Sequence, residues 1–114
     1  MKTMFITTVA AMGALVGFSQ PANAIDPEWT IKQEIVRIEY DANSNDLFFV
    51  GPSTWSSASC PNAPWVRILA SLSGAKQILA LGAAAQMAGK MVTFYGNCDS
   101  ARPTYFNAVY IRVE

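Results

Sequence analysis

The sequence contains no histidine. Hydrolytic triads of the Ser-His or Cys-His kind are therefore excluded, and no side chain titrates near neutral pH unless its environment is unusual. Charge is scarce and balanced, with eight Lys and Arg against eight Asp and Glu in 114 residues. There is no basic stripe of the kind a phosphate backbone requires, so a nucleic-acid partner is not expected. No Gly-rich phosphate cradle and no metal-ligand spacing occurs. Cysteine is limited to Cys60 and Cys98, too few for a metal site without histidine. No cofactor or metal is expected. An apolar run of the roughly twenty residues that span a membrane is also missing.

The N-terminus does contain a shorter apolar run, organised as an export signal. Lys2 supplies the positive charge, and Met4 to Phe18 are uncharged and mostly apolar. Gln20, the helix-breaking Pro21 and Ala22-Asn23-Ala24 follow, placing small residues at the two positions a signal peptidase inspects. This predicts a signal peptide over 1–24, cleaved after Ala24, and a mature domain over 25–114. The competing buried helix would leave the Ala-x-Ala ending as coincidence, and no cysteine follows to carry a lipid. The protein is therefore expected to be secreted or periplasmic.

Without Lys2 the mature chain carries seven basic and eight acidic residues. Its roughly ninety residues suffice for one domain with a thin core, a size that profits from a covalent staple. Export delivers Cys60 and Cys98 to an oxidising compartment, so a structural disulfide is expected. It would close a loop of about 39 residues and contribute about 4 kcal/mol on the chain-entropy argument. Such a bond also removes Cys98 as a nucleophile.

Hydropathy patterning gives five strands and one helix. From Gln33 to Asp41, Val36, Ile38 and Tyr40 alternate with Arg37, Glu39 and Asp41, as in a sheet with one wet face. The run 41–46 is rich in turn formers whose side chains bond their own backbone, and Leu47-Phe48-Phe49-Val50 completes a hairpin. After an irregular stretch, 51–64, Trp65 to Leu69 is a third strand. Ala75 to Ala88 is predicted helical, with Ser73 as a candidate N-cap and Gly89 at the left-handed C-terminal position. Its expected core stripe is Ile78, Leu81, Ala85 and Ala88. The opposite face is Ala- and Gly-rich rather than charged, which fits a helix wedged against a barrel or facing a neighbouring subunit. Met91 to Tyr95 and Tyr105 to Val113 are the last strands, with Val109, Ile111 and Val113 on one face.

The resulting order, β-β-β-α-β-β, is that of an OB-fold, a five-stranded Greek-key barrel with its helix after the third strand. Three features carry a resemblance to a known family. Val36-Arg37-Ile38 opens the first strand, and Cys60 stands just ahead of the third. The helix Lys76-Gln77-Ile78-Leu79-Ala80-Leu81-Gly82-Ala83-Ala84-Ala85 precedes Gly89-Lys90-Met91-Val92-Thr93-Phe94, with Cys98 soon after. In these the chain resembles the small secreted OB-fold B subunits of subtilase-cytotoxin and pertussis-like toxins. The resemblance implies a homo-oligomer, a pentamer with helices lining a channel, that binds a glycan or glycoprotein receptor on its outer surface. It also implies a catalytic partner subunit, which this chain does not carry.

The loop material available for sugar contacts is Ser53, Thr54, Trp55, Ser56 and Ser57, hydroxyls that bond sugar hydroxyls beside a ring that can face sugar C–H groups. Trp55 is read as exposed because Ser and Thr surround it, against the reading of a Trp that closes the barrel end. Phe48, Phe49, Phe94 and Phe106 are read as core, and Trp65 as packing under the loop. Trp29 is read as tucking over a barrel end or docking on a neighbour. Glu39 and Asp41 point to one face of their strand, yet a carboxylate pair on a wet face is ordinarily only solvated. No catalytic residue is assigned. The expectation is a non-catalytic glycan- or receptor-binding module; the alternative is a periplasmic or envelope protein, structural or inhibitory, that binds another protein.

Overall fold

The computed structural model describes residues 27–114. The expected signal peptide and its cleavage point lie outside the described residues. Among the described residues the fold is mainly β with one helix. Its strands are β1 (Glu28–Trp29), β2 (Gln33–Glu34), β3 (Arg37–Asp41), β4 (Asp46–Val50), β5 (Trp65–Ile68), β6 (Met91–Cys98) and β7 (Tyr105–Val113). The helix, α1, spans Ala75–Ala88 between β5 and β6. They form one open sheet in the order β1-β6-β7-β5-β4-β3, and β2 also pairs with β6. All pairs are antiparallel except β5 with β7.

The strand expected to run unbroken from Gln33 to Asp41 is interrupted at Ile35–Val36. Its first half pairs with β6 and its second with β4. The break changes which residues are buried. Ile35 enters the core, whereas Val36 and Tyr40 are 48% and 60% exposed, and only Ile38 of the expected apolar face packs against the core. The β3–β4 turn is as expected: Asp41 Oδ1 accepts the Asn43 N–H at 2.9 Å, and Asn45 takes a positive φ of 64°, which Asn tolerates.

Inner-face residues follow the two-residue period: Leu47 and Phe49, Val66 and Ile68, Phe106 and Ala108. In β6–β7 the register pairs Gly96 with Ala108 and Tyr95 with Tyr110, leaving Val109 as a bulge. A bulge re-aims the residues beyond it. Val109, expected on the face of Ile111 and Val113, is instead 55% exposed, while Ile111 packs on the core.

Helix α1 is capped by the backbone of Gly74 and not by Ser73, with no side-chain cap. Gly89 is left-handed at φ 66°, as expected of a C-terminal glycine. The buried stripe is Ile78, Gly82 and Ala85; Leu81 is half-exposed and Ala88 exposed. Gly82 explains the rotation, because a Cβ there would lie 2.5 Å from the Phe49 ring. The helix thus seats its one side-chain-free position on the core's central ring.

The disulfide Cys60–Cys98 is present, with Cα atoms 5.3 Å apart. It ties the 51–64 loop to the end of β6.

Candidate functional site

Of the loop residues singled out in the sequence, Ser53 and Thr54 are exposed, Ser56 is half-buried, and Trp55 and Ser57 are buried. Trp55 is fully buried, contrary to its expected exposure. Its indole N–H donates to the Phe49 carbonyl at 3.0 Å and its ring meets Phe94 edge-on at 5.1 Å. Buried tryptophan needs such a partner for its N–H, and the core supplies it. The Ser53 hydroxyl donates to Oε1 of the buried Gln33 at 2.8 Å, and Gln33 Nε2 returns a bond to the Ser53 carbonyl at 3.0 Å. Thr54 Oγ1 donates to the Pro61 carbonyl at 3.3 Å, and the Ser56 carbonyl accepts the Ile31 N–H at 2.9 Å. Ser57 is buried beside Glu28. Burial raises the Glu28 pKa, but the N–H and hydroxyl of Ser59, which donate to its Oε2 at 2.8 and 2.9 Å, help to outweigh it and hold the carboxyl below its ordinary value. Trp55 is the one aromatic residue among the five loop residues, and its ring does not reach solvent.

The aromatic surface lies elsewhere, on the outward face of β3, β4, β5 and β7. The register aligns Glu39, Phe48, Arg67 and Asn107 across the four strands, with Trp65 and Tyr105 as the adjacent rank. Strand parity sends all of them away from the core, because Phe49, Val66 and Phe106 occupy the inner face. The result is a cleft of about 450 Å³ lined by Tyr40, Phe48, Trp65 and Tyr105, with Glu39, Asp41 and Ala42. Phe48 and Trp65 lie 5.5 and 5.8 Å from Tyr105, centroid to centroid.

Polar contacts hold these rings in place. Glu39 Oε1 accepts the Trp65 indole N–H at 3.2 Å, and its Oε2 accepts Arg37 Nε at 2.7 Å. Arg67 stacks over the Tyr105 ring at 4.6 Å while it donates to Asn107 Oδ1 at 2.8 Å and to Asp99. Burial raises the Asp99 pKa, but the N–H groups of Ala101 and Arg102, the Asn107 side chain and Arg67 lower it further, so Asp99 stays ionised. Among the described residues Asp41 forms no ion pair.

Glu39 and Asp41 therefore border an aromatic cleft and are not merely solvated. Phe48 and Trp65, read from sequence as core and as packing under the loop, are half-exposed in its wall. The signal that finds them is parity: Trp65 is two residues from Arg67, and Tyr105 two from Asn107, so each shares a polar residue's face. Chemically the cleft offers ring faces for C–H groups and carboxylates for hydroxyl or ammonium donors.

Two other surfaces stand out. A more apolar cleft of about 530 Å³ lies between β3–β4 and the start of α1, lined by Ile38, Leu47, Leu79 and others. On β1, β6 and β7, Trp29 packs on Tyr95 and Tyr110 and carries Arg112 over its ring at 4.1 Å. No helix of the described residues is long and apolar enough to cross a membrane, and none of their His, Cys, Asp and Glu form a group of three placed to hold a metal. Set against protein-family models, curated proteins and solved structures, the chain matches none of them.

Proposed function

We propose that the protein is an exported, non-catalytic module that binds a glycan through the cleft of Tyr40, Phe48, Trp65 and Tyr105. The observation that carries this reading is an open cleft where Phe48, Trp65 and Tyr105 share one sheet face with two carboxylates, with Tyr40 at its edge. Sugar rings have apolar C–H patches that settle on aromatic faces, while their hydroxyls donate to carboxylates. Strands hold such a constellation more precisely than loops do.

The architecture is read as OB-fold-like. A β3–β4–β5 meander, a parallel β5–β7 pair reached across α1, and a β6 that pairs with both β7 and β2 support that reading. Assembly into a homo-oligomer, a pentamer by the toxin resemblance, is part of the proposal. It is supported by the outward face of α1, where Leu81 is 50% and Met87 88% exposed beside Ala80 and Ala84.

The test is a glycan array probed with purified protein. Wild type should give a defined set of glycan signals, and Trp65→Ala should lose them by at least about tenfold. A blank array from folded wild-type protein overturns the reading. One observation favours the alternative of a protein partner. Trp29, Tyr95, Tyr110 and Arg112 are residue types enriched in binding hot spots, and here they cluster on one face. That alternative gains if the array is blank and a defined protein partner is lost with Trp29→Ala.

A further inference from the structure

We infer that, within the glycan-binding reading on which this inference rests, the cleft selects a sugar bearing a protonated amine and rejects anionic sugars. Phe48, Trp65 and Tyr105, with Tyr40 at the edge, make the site, and the charges on its rim set the sign of what enters. Its only charged lining residues are Glu39 and Asp41. The two cations nearest in register are already committed, Arg37 to Glu39 and Arg67 to Asp99. Arg67 is further held by Asn107 and by its stacking on Tyr105, and no guanidinium is part of the cleft lining.

Asp41 carries the greater share of this argument. Glu39 is satisfied by Arg37 and by the Trp65 indole. Asp41 has a single N–H donor, from Asn43, and no ion pair among the described residues. It faces Asp46 directly across the β3–β4 ladder, and Asp46 also forms no ion pair there. Like charges opposed in this way are unfavourable, and a cation seated in the cleft relieves the repulsion. The rings act in the same direction, because an ammonium group is drawn to aromatic faces. A sialic or uronic acid would meet the unpaired Asp41 carboxylate in a cleft whose lining holds no cation.

The test compares three sugars by calorimetric titration at about pH 6, where an amine is protonated: glucosamine trimer, N-acetylglucosamine trimer and sialyllactose. The amine-bearing trimer should bind roughly 3- to 30-fold more tightly than its acetylated form, and sialyllactose should not bind. In Asp41→Asn, at the exposed end of β3, that ratio should fall toward one because the amine-bearing trimer loses its advantage. Equal or tighter binding of the acetylated trimer, or any binding of sialyllactose, overturns the inference and leaves glycan binding standing. A ratio unchanged in both Asp41→Asn and Glu39→Gln also overturns it. Failure of all three sugars overturns it as well, and with a blank array the glycan reading falls too.

Discussion

Two aromatic-bearing regions of this molecule do opposite work. The 51–64 loop is rich in serine and carries a tryptophan amid polar neighbours, yet that ring is the largest fully buried side chain. The β3–β4–β5–β7 face is built from strands whose aromatics look like core, yet Phe48, Trp65 and Tyr105 line an open cleft with Tyr40 at its edge. Local composition misjudges which rings are exposed in both cases. What decides is long-range: whether a backbone carbonyl and a ring wait beneath the loop, and which parity each strand takes on the sheet. Phe49 and Phe94 supply the first for Trp55. The register Glu39–Phe48–Arg67–Asn107 sets the second.

The sharpest way to break this contrast is to truncate the buried ring. Trp55→Ala should destabilise the fold by about 3–5 kcal/mol, since it removes a core side chain and leaves the Phe49 carbonyl without its partner. Chemical denaturation measures this, and a change below about 1 kcal/mol would return Trp55 to the surface. Reduction of Cys60–Cys98, which anchors the same loop, should cost about 2–5 kcal/mol, read as a lower melting temperature. Gly82→Ala should cost about 1–3 kcal/mol despite alanine's better helix propensity, because the added methyl meets the Phe49 ring.

The smallest expected effect is on acid stability. The folded pKa of Glu28 is lowered, so its contribution is present above the unfolded carboxylate value near about 4.3 and is lost as pH falls through the folded one. Stability of wild type should decline across that acid range. Glu28→Gln should flatten the decline, and an unchanged acid limb would show that the Ser59 contacts do not tie the loop down.

Much of the fold was legible because it rests on local signals. The turn residues 41–46, the alanine-rich run ending at Gly89 and the alternation in Trp65-Val66-Arg67-Ile68 each report their own conformation. Leu47-Phe48-Phe49-Val50 is apolar throughout, so periodicity alone cannot say that Phe49 faces in and Phe48 out. The Val109 bulge is invisible for a related reason: strand propensity is the same on either side of it, and only pairing with β6 shows the flip. The role of Gly82 depends on a ring 33 positions earlier. The cleft is not legible in the sequence because its residues come from four strands, brought together by pairing and not by spacing.

The most direct test sets the two regions side by side in one titration series against a glycan that the wild type binds. Trp65→Ala and Tyr105→Ala should each weaken binding by about tenfold or more while the melting temperature shifts little. Ser53→Ala and Thr54→Ala, on the loop, should bind as wild type does. Binding lost in the loop variants and retained in the strand variants would contradict the assignment of the site to the sheet face.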